Sequence, residues 1–203
     1  VELACDGLAG VSASQVEIQS GIQFYDGMST ADIQEILVRS ASDLIDLDSP
    51  NYQYVASRLL LFGLRKNLYG RLHELPTLID QITRGVDKGI YDADILKKYN
   101  KDEINTLDTI IEHNRDYLFT YAGMRQVTDK YLVQDRSTGE VYETPQFMYM
   151  LIAMTIFAEY PEENRLDYVT RYYNAISKHK INIPTPIMGG VRTPIRQFAS
   201  CVL

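Results

Sequence analysis

The sequence predicts a mainly α chain, interrupted by one β-hairpin and ending in a short β-prone run. Three observations predict this. Apolar residues recur at helical spacing through most of the chain up to Lys178. Alternating β-formers in Lys130-Tyr-Leu-Val-Gln-Asp and Glu140-Val-Tyr-Glu flank the glycine-containing turn Arg136-Ser-Thr-Gly139. From Ile181 onward Pro184, Pro186, Pro194, Gly189 and Gly190 punctuate short β-branched runs, and the helical pattern stops.

The elements follow in order. The chain opens at Val1, without Met and in what reads as mid-helix, so the sequence is expected to be a portion of something longer. Ser12 caps a helix carrying Val16, Ile18 and Ile22. Ser29 and Asp32 form a capping-box-like start for Ile33, Ile36, Leu37, Ala41, Leu44 and Ile45. Asp48-Ser49-Pro50 breaks that pattern, and a helix over Asn51 to Tyr69 buries Val55, Leu59 and Phe62. A small antiparallel bundle accounts for every apolar residue in this first third. Gly70 and Pro76 punctuate the chain, and an internal boundary is expected near Lys66–Gly70.

Further helices are expected over 76–88, 92–99, 101–114 and 116–130, then the hairpin, then helices over 145–159 and 162–178. Lys180–Ile183 reads as a strand, 184–190 as a stiff loop, and Phe198–Leu203 as a second strand. Both strands look like edges without a visible partner, as if a sheet were left unfinished.

Composition excludes several classes. With 45% hydrophobic and 23% charged residues, the chain is an ordinary globular one. A net charge of −7 argues against nonspecific binding to nucleic acid or to an anionic membrane. The most apolar stretch, Phe147 to Ala158, is too short to span a bilayer and reads as a buried helix. Cys5 and Cys201, at opposite ends, make no disulfide framework and suit a reducing cytoplasm. His73, His113 and His179 are scattered without a second ligand at metal spacing, so no metal site is expected.

Three local features bear on chemistry. No acidic residue follows Asp167, whereas Arg171, Lys178, Lys180, Arg192 and Arg196 do, which fits either a covered end or one that meets phosphate. The prolines around Thr185 hold it in a stiff segment with its hydroxyl and N–H available, a weak anion-loop signal equally readable as a turn. Cys201, in Phe198-Ala-Ser-Cys-Val-Leu, reads locally as a buried strand thiol that nearby cations could activate. The acidic pairs Asp102-Glu103 and Glu162-Glu163 read as solvated residues at helix starts, where they complement the helix dipole.

Several segments together resemble one family. Lys180-Ile-Asn-Ile-Pro-Thr-Pro-Ile-Met-Gly-Gly-Val-Arg-Thr-Pro-Ile-Arg-Gln-Phe-Ala-Ser-Cys201 is similar to the stretch of class I ribonucleotide reductase large subunits that enters the catalytic barrel. Lys130 to Phe147 resembles the family's hairpin and following helix, while Asp46 to Arg58 and Ile22 to Thr30 resemble its regulatory ATP-cone. The resemblance runs over essentially the whole chain, and is to phage and bacterial members of the subclass Ia type.

The resemblance implies a division into the helical part of an ATP-cone over 1–66, a helical region over 67–179, and the start of an α/β ten-stranded barrel over 180–203. It implies that Cys201 is one of two redox-active thiols reducing the ribose 2′ position, and that Thr185 and Ser200 bind substrate diphosphate or ribose. Thr30 and Lys66 match positions near bound effector ATP or dATP. Gln34 and Gly63 depart from close relatives, which carry histidines touching the effector there. The implied partners are the remainder of the large subunit, a metal-containing small subunit that supplies the radical, a ribonucleoside diphosphate, and thioredoxin or glutaredoxin. The implied location is the cytoplasm of a bacterium or of a phage host. A chain with one of the two thiols is expected to be inactive alone; the competing reading is a regulatory nucleotide-binding or subunit-contact module without catalysis.

Overall fold

A computed structural model of the chain describes every residue except Arg136, Arg196, Gln197 and residues 199–203. Among the described residues the fold is mainly helical: α1 (Glu2–Cys5), α2 (Ala13–Gly21), α3 (Thr30–Asp43), α4 (Tyr52–Tyr69), α5 (Leu78–Asp87), α6 (Ile95–Lys98), α7 (Lys101–Asp108), α8 (Tyr121–Gln126), α9 (Pro145–Ile156), α10 (Glu162–Ser177) and α11 (Thr185–Gly190). The chain divides into two compact units, Val1–Leu72 with Asp116–Thr128, and His73–Arg115 with Asp129–Leu203.

Local hydrogen bonding sets where the helices begin. Ser12 accepts the Gln15 N–H ahead of α2, and Ser29 accepts the Asp32 N–H at 3.1 Å ahead of α3. Thr77 and Thr120 do the same for α5 and α8. Asn100 and Glu103 form a complete capping box at α7. α4 stops at Gly70, whose φ of +71° lets its N–H turn back to the Lys66 carbonyl at 2.8 Å. In the first unit α1, α3 and α8 pack on α4, and α2 on α3, around Val16, Val38, Ala41, Tyr52, Val55, Leu59 and Phe62.

In the second unit α9 is the central rod. Every residue from Pro145 to Met154 is buried, so over that span the helix has no solvent face and is apolar apart from Gln146. α10 and α11 pack against it, while α5 packs on α7. The close passage at Gly85 depends on the missing side chain: a Cβ there would lie 2.1 Å from Cδ2 of buried Tyr91. Gly85→Ala should therefore destabilise this unit by about 3 kcal/mol, the upper end of ordinary overpacking, read from chemical denaturation. An unchanged midpoint would show that Tyr91 can shift without loss.

Several expected elements differ. The helix expected over 101–114 ends at Asp108, followed by a 3-10 turn over His113–Leu118. The one expected over 116–130 breaks into α8 and a π-helical turn, Val127–Tyr131. In place of two strands, the described residues of 130–143 show an antiparallel bridge, Gln134 to Val141, with Gly139 at φ +73°. Lys180–Ile183 forms no strand, since no second strand among the described residues pairs with it. The stretch read as a stiff loop is helix α11, with Pro186 in its first turn, where a missing N–H costs nothing. The second expected strand, Phe198–Leu203, lies outside the described residues apart from Phe198.

Glu103 is also not the solvated cap residue its position suggested. Its carboxylate takes two hydrogen bonds from Arg165, at 2.8 and 2.5 Å, and both residues are buried. Arg165 in turn stacks on Tyr99 at 4.6 Å. Burial by itself would raise the Glu103 carboxyl, but the bonds from Arg165 and the Asn100 N–H outweigh it and hold the group below 4.5. A lowered folded value stabilises the fold above the unfolded value and loses that contribution as pH falls through the folded one. The stability difference between parent and Glu103→Gln should be full at neutral pH and shrink below about pH 4.5 in acid titrations of unfolding. A difference independent of pH would contradict this.

Candidate functional site

Thr185 opens α11 on the surface, with its hydroxyl 3.5 Å from that of Tyr131. Lys130, beside Tyr131 in the chain, places its ammonium 5.5 Å from the Tyr131 ring centre. Two hydroxyls with a nearby cation make a short polar rim, suited to an anion more than to an apolar ligand.

Beneath this rim lies a buried polar network. Glu143 and Arg192 form an ion pair with both side chains fully enclosed. Arg192 also donates to the Met188 carbonyl of α11 at 2.5 Å and to the Tyr131 carbonyl at 2.9 Å. Glu143 accepts the Val133 N–H at 2.8 Å and the Tyr91 hydroxyl at 2.9 Å. Gln81 donates to the Tyr91 oxygen at 2.8 Å and to the Tyr142 carbonyl at 2.9 Å. Burial, reinforced by the Glu143 charge, pushes the Tyr91 hydroxyl well above the usual tyrosine range, so it stays a proton donor. One guanidinium thus ties α11, the 131–143 turn and, through Glu143 and Tyr91, α5 into one piece.

This changes the reading of the acid-free end. Arg192 is neutralised inside the protein and cannot meet phosphate. Arg171 pairs with Asp167 at 3.5 Å on an exposed face. Lys178 and Lys180 are exposed, and Arg196 lies outside the described residues. Ser200 and Cys201 also lie outside them, so of the expected substrate-site residues the structure places Thr185 alone. Sequence reasoning did not find Tyr131, Glu143, Tyr91 or Gln81 as members of this site. The available signal was Glu143, an acidic residue at the end of a β-prone run and just ahead of the mostly apolar α9.

In the first unit, Thr30 begins α3 and Lys66 lies in the last turn of α4, both exposed. Arg65 turns inward instead, to a buried ion pair with Asp116 at 3.1 Å. Between Thr30 and Lys66 the two helices touch through Gln34 and Gly63. Gln34 Nε2 donates to the Leu59 carbonyl at 2.6 Å, and a Cβ on Gly63 would lie 2.9 Å from Gln34 Cγ. The two positions therefore act as a matched pair, with the amide side chain filling the space the glycine leaves open. Thr30 and Lys66 sit one helical turn beyond this contact, at the same end of the helix pair.

No helix among the described residues is long and apolar enough to cross a membrane. The all-alpha domain of ribonucleotide reductase matches residues 117–196. Over all 203 residues the chain is 52% identical to the ribonucleoside-diphosphate reductase 1 subunit alpha of Escherichia coli (strain K12), covering 26% of that protein. It is 52% identical over 200 residues, 98% of the chain, to the subunit alpha of Haemophilus influenzae, and again covers 26% of it. With the subunit alpha of Enterobacteria phage T4 the identity is 47% over 196 residues, 96% of the chain and 26% of the relative. The chain spans about a quarter of the length of the curated relatives it matches. Identity at this level, sustained from one end of the chain to the other, places it in the family of ribonucleoside-diphosphate reductase alpha subunits, whose N-terminal part it matches.

Proposed function

We propose that this chain works as the N-terminal part of a catalytic subunit that reduces ribonucleoside diphosphates to 2′-deoxyribonucleoside diphosphates. The observation that carries this reading is the 52% identity to an alpha subunit across the entire chain. In this reading Thr185 and Ser200 hold substrate diphosphate or ribose through their hydroxyls. Cys201 is one of two thiols that together give up two electrons and two protons. The substrate 2′ C–O bond breaks, water leaves, and the two sulfurs end joined as a disulfide. Thioredoxin or glutaredoxin then returns the pair to thiols. A small subunit that contains a metal centre supplies the initiating radical.

Residues 1–66 serve as the helical part of an ATP-cone, with Thr30 and Lys66 near effector ATP or dATP. Residues 67–179 form the helical region, with the family's hairpin at the 130–143 turn, and 180–203 lead into the ten-stranded barrel. The setting is the cytoplasm of a bacterium or of a phage host. Alone, with one thiol of the pair, the chain should show no turnover.

Kinetics of the complete subunit with its small subunit test the substrate role. Thr185→Ala should raise KM for cytidine diphosphate about tenfold, the effect of losing one hydrogen bond to a charged group, and change kcat less. An unchanged KM would remove Thr185 from the substrate site.

A further inference from the structure

We propose that Tyr131 is a second substrate-binding hydroxyl beside Thr185, and that the buried Glu143–Arg192 pair is the device that holds the two side by side. This deepens the proposed substrate role of Thr185 and rests on it.

The Tyr131 and Thr185 hydroxyls lie 3.5 Å apart at the surface, a spacing at which both can contact neighbouring oxygens of one phosphate group. They come from segments more than fifty residues apart, so no local turn fixes their distance. Arg192 does. Its Nη2 donates to the carbonyl of Tyr131 itself, and its Nη1 to the carbonyl of Met188, one turn along α11 from Thr185. A planar guanidinium with donors in a fixed fork spans both carbonyls; a lysine ammonium would present its donors from a single nitrogen.

The chemistry of the pair points the same way. A buried ion pair contributes little net stability compared with an apolar pair of similar volume, and in some proteins such a pair instead serves to specify one arrangement of the chain. Here the fixed geometry is that of two exposed hydroxyls. Glu143 completes the device from below by accepting from Val133 N–H and the Tyr91 hydroxyl, so its own position is set by two further donors. Lys130, next to the Tyr131 ring, adds a positive charge to the rim.

Steady-state kinetics with cytidine diphosphate, on the complete subunit assembled with its small subunit, test this. Tyr131→Phe keeps the ring and the backbone carbonyl and removes the hydroxyl. It should raise KM about fivefold and change kcat less, as expected for one lost hydrogen bond. Arg192→Lys should raise KM comparably. Adding Thr185→Ala to Arg192→Lys should then cost less than Thr185→Ala costs in the parent, because the hydroxyl is already misplaced. If Thr185→Ala raises KM while Tyr131→Phe leaves it unchanged, the inference falls and the Thr185 reading stands. Fully additive effects of Arg192→Lys and Thr185→Ala would overturn the positioning role. If Thr185→Ala itself has no effect, the underlying reading fails instead. Should Arg192→Lys not fold, Tyr131→Phe decides.

Discussion

Arg192→Met is expected to destabilise the second unit by about 3–5 kcal/mol, because it leaves the Glu143 carboxylate buried with its countercharge gone. The substitution keeps much of the side-chain volume, so little of the loss comes from a cavity. Most comes from an ionised group that must either remain unpaired in the interior or take up a proton. Two carbonyls, those of Tyr131 and Met188, lose their donor at the same time. Chemical denaturation of the 203-residue chain reads the effect. The double variant Glu143→Met with Arg192→Met should recover much of the loss, since removing both charges removes the unpaired one. A single variant as stable as the parent would mean that water reaches the pair.

Cys201→Ser in the complete subunit should reduce steady-state turnover more than about a hundredfold, equivalent to at least roughly 2.7 kcal/mol of barrier. The reason is stoichiometric. Reduction of a C–O bond consumes two electrons, a pair of thiols supplies them by forming a disulfide, and a serine hydroxyl at one of the two positions cannot join that disulfide. KM for the diphosphate should move far less than kcat, because the proposed role of Cys201 is on the ribose and not on the phosphate anchor. Turnover within a few-fold of the parent would assign the electrons to other groups.

The features legible in the sequence were local ones. Ser12 and Ser29 announce α2 and α3 because a cap bonds an N–H three residues on, well inside any reading window. α9 announces itself as an unbroken apolar run. α11 was missed because Pro184 and Pro186 read as loop residues, although proline fits the first helical turn as well as it fits a bend. The ion pairs were illegible for another reason. Glu103 meets Arg165 across 62 residues, Arg65 meets Asp116 across 51, and Arg192 meets Glu143 across 49. No periodicity links such partners; only the packing of helices around α9 and α4 does. Arg192 therefore looked like one more cation of an acid-free end, when it is the residue that joins α11 to Glu143 and to the Tyr131 carbonyl. Cys201 and Ser200 read locally as part of an apolar strand and lie outside the described residues, so their proposed roles rest on the resemblance of the surrounding residues alone.

A single-turnover experiment on the complete subunit decides whether Cys201 gives up electrons to the substrate. The subunit is reduced, freed of thioredoxin and small thiols, and allowed one turnover of cytidine diphosphate with its small subunit. Free thiols are then alkylated and the peptides identified by mass spectrometry. The expected result is Cys201 shielded from alkylation and disulfide-linked to a cysteine elsewhere in the complete subunit, in proportion to the deoxynucleotide formed. Full alkylation of Cys201 alongside a stoichiometric yield of deoxynucleotide would contradict its assignment as half of the redox pair.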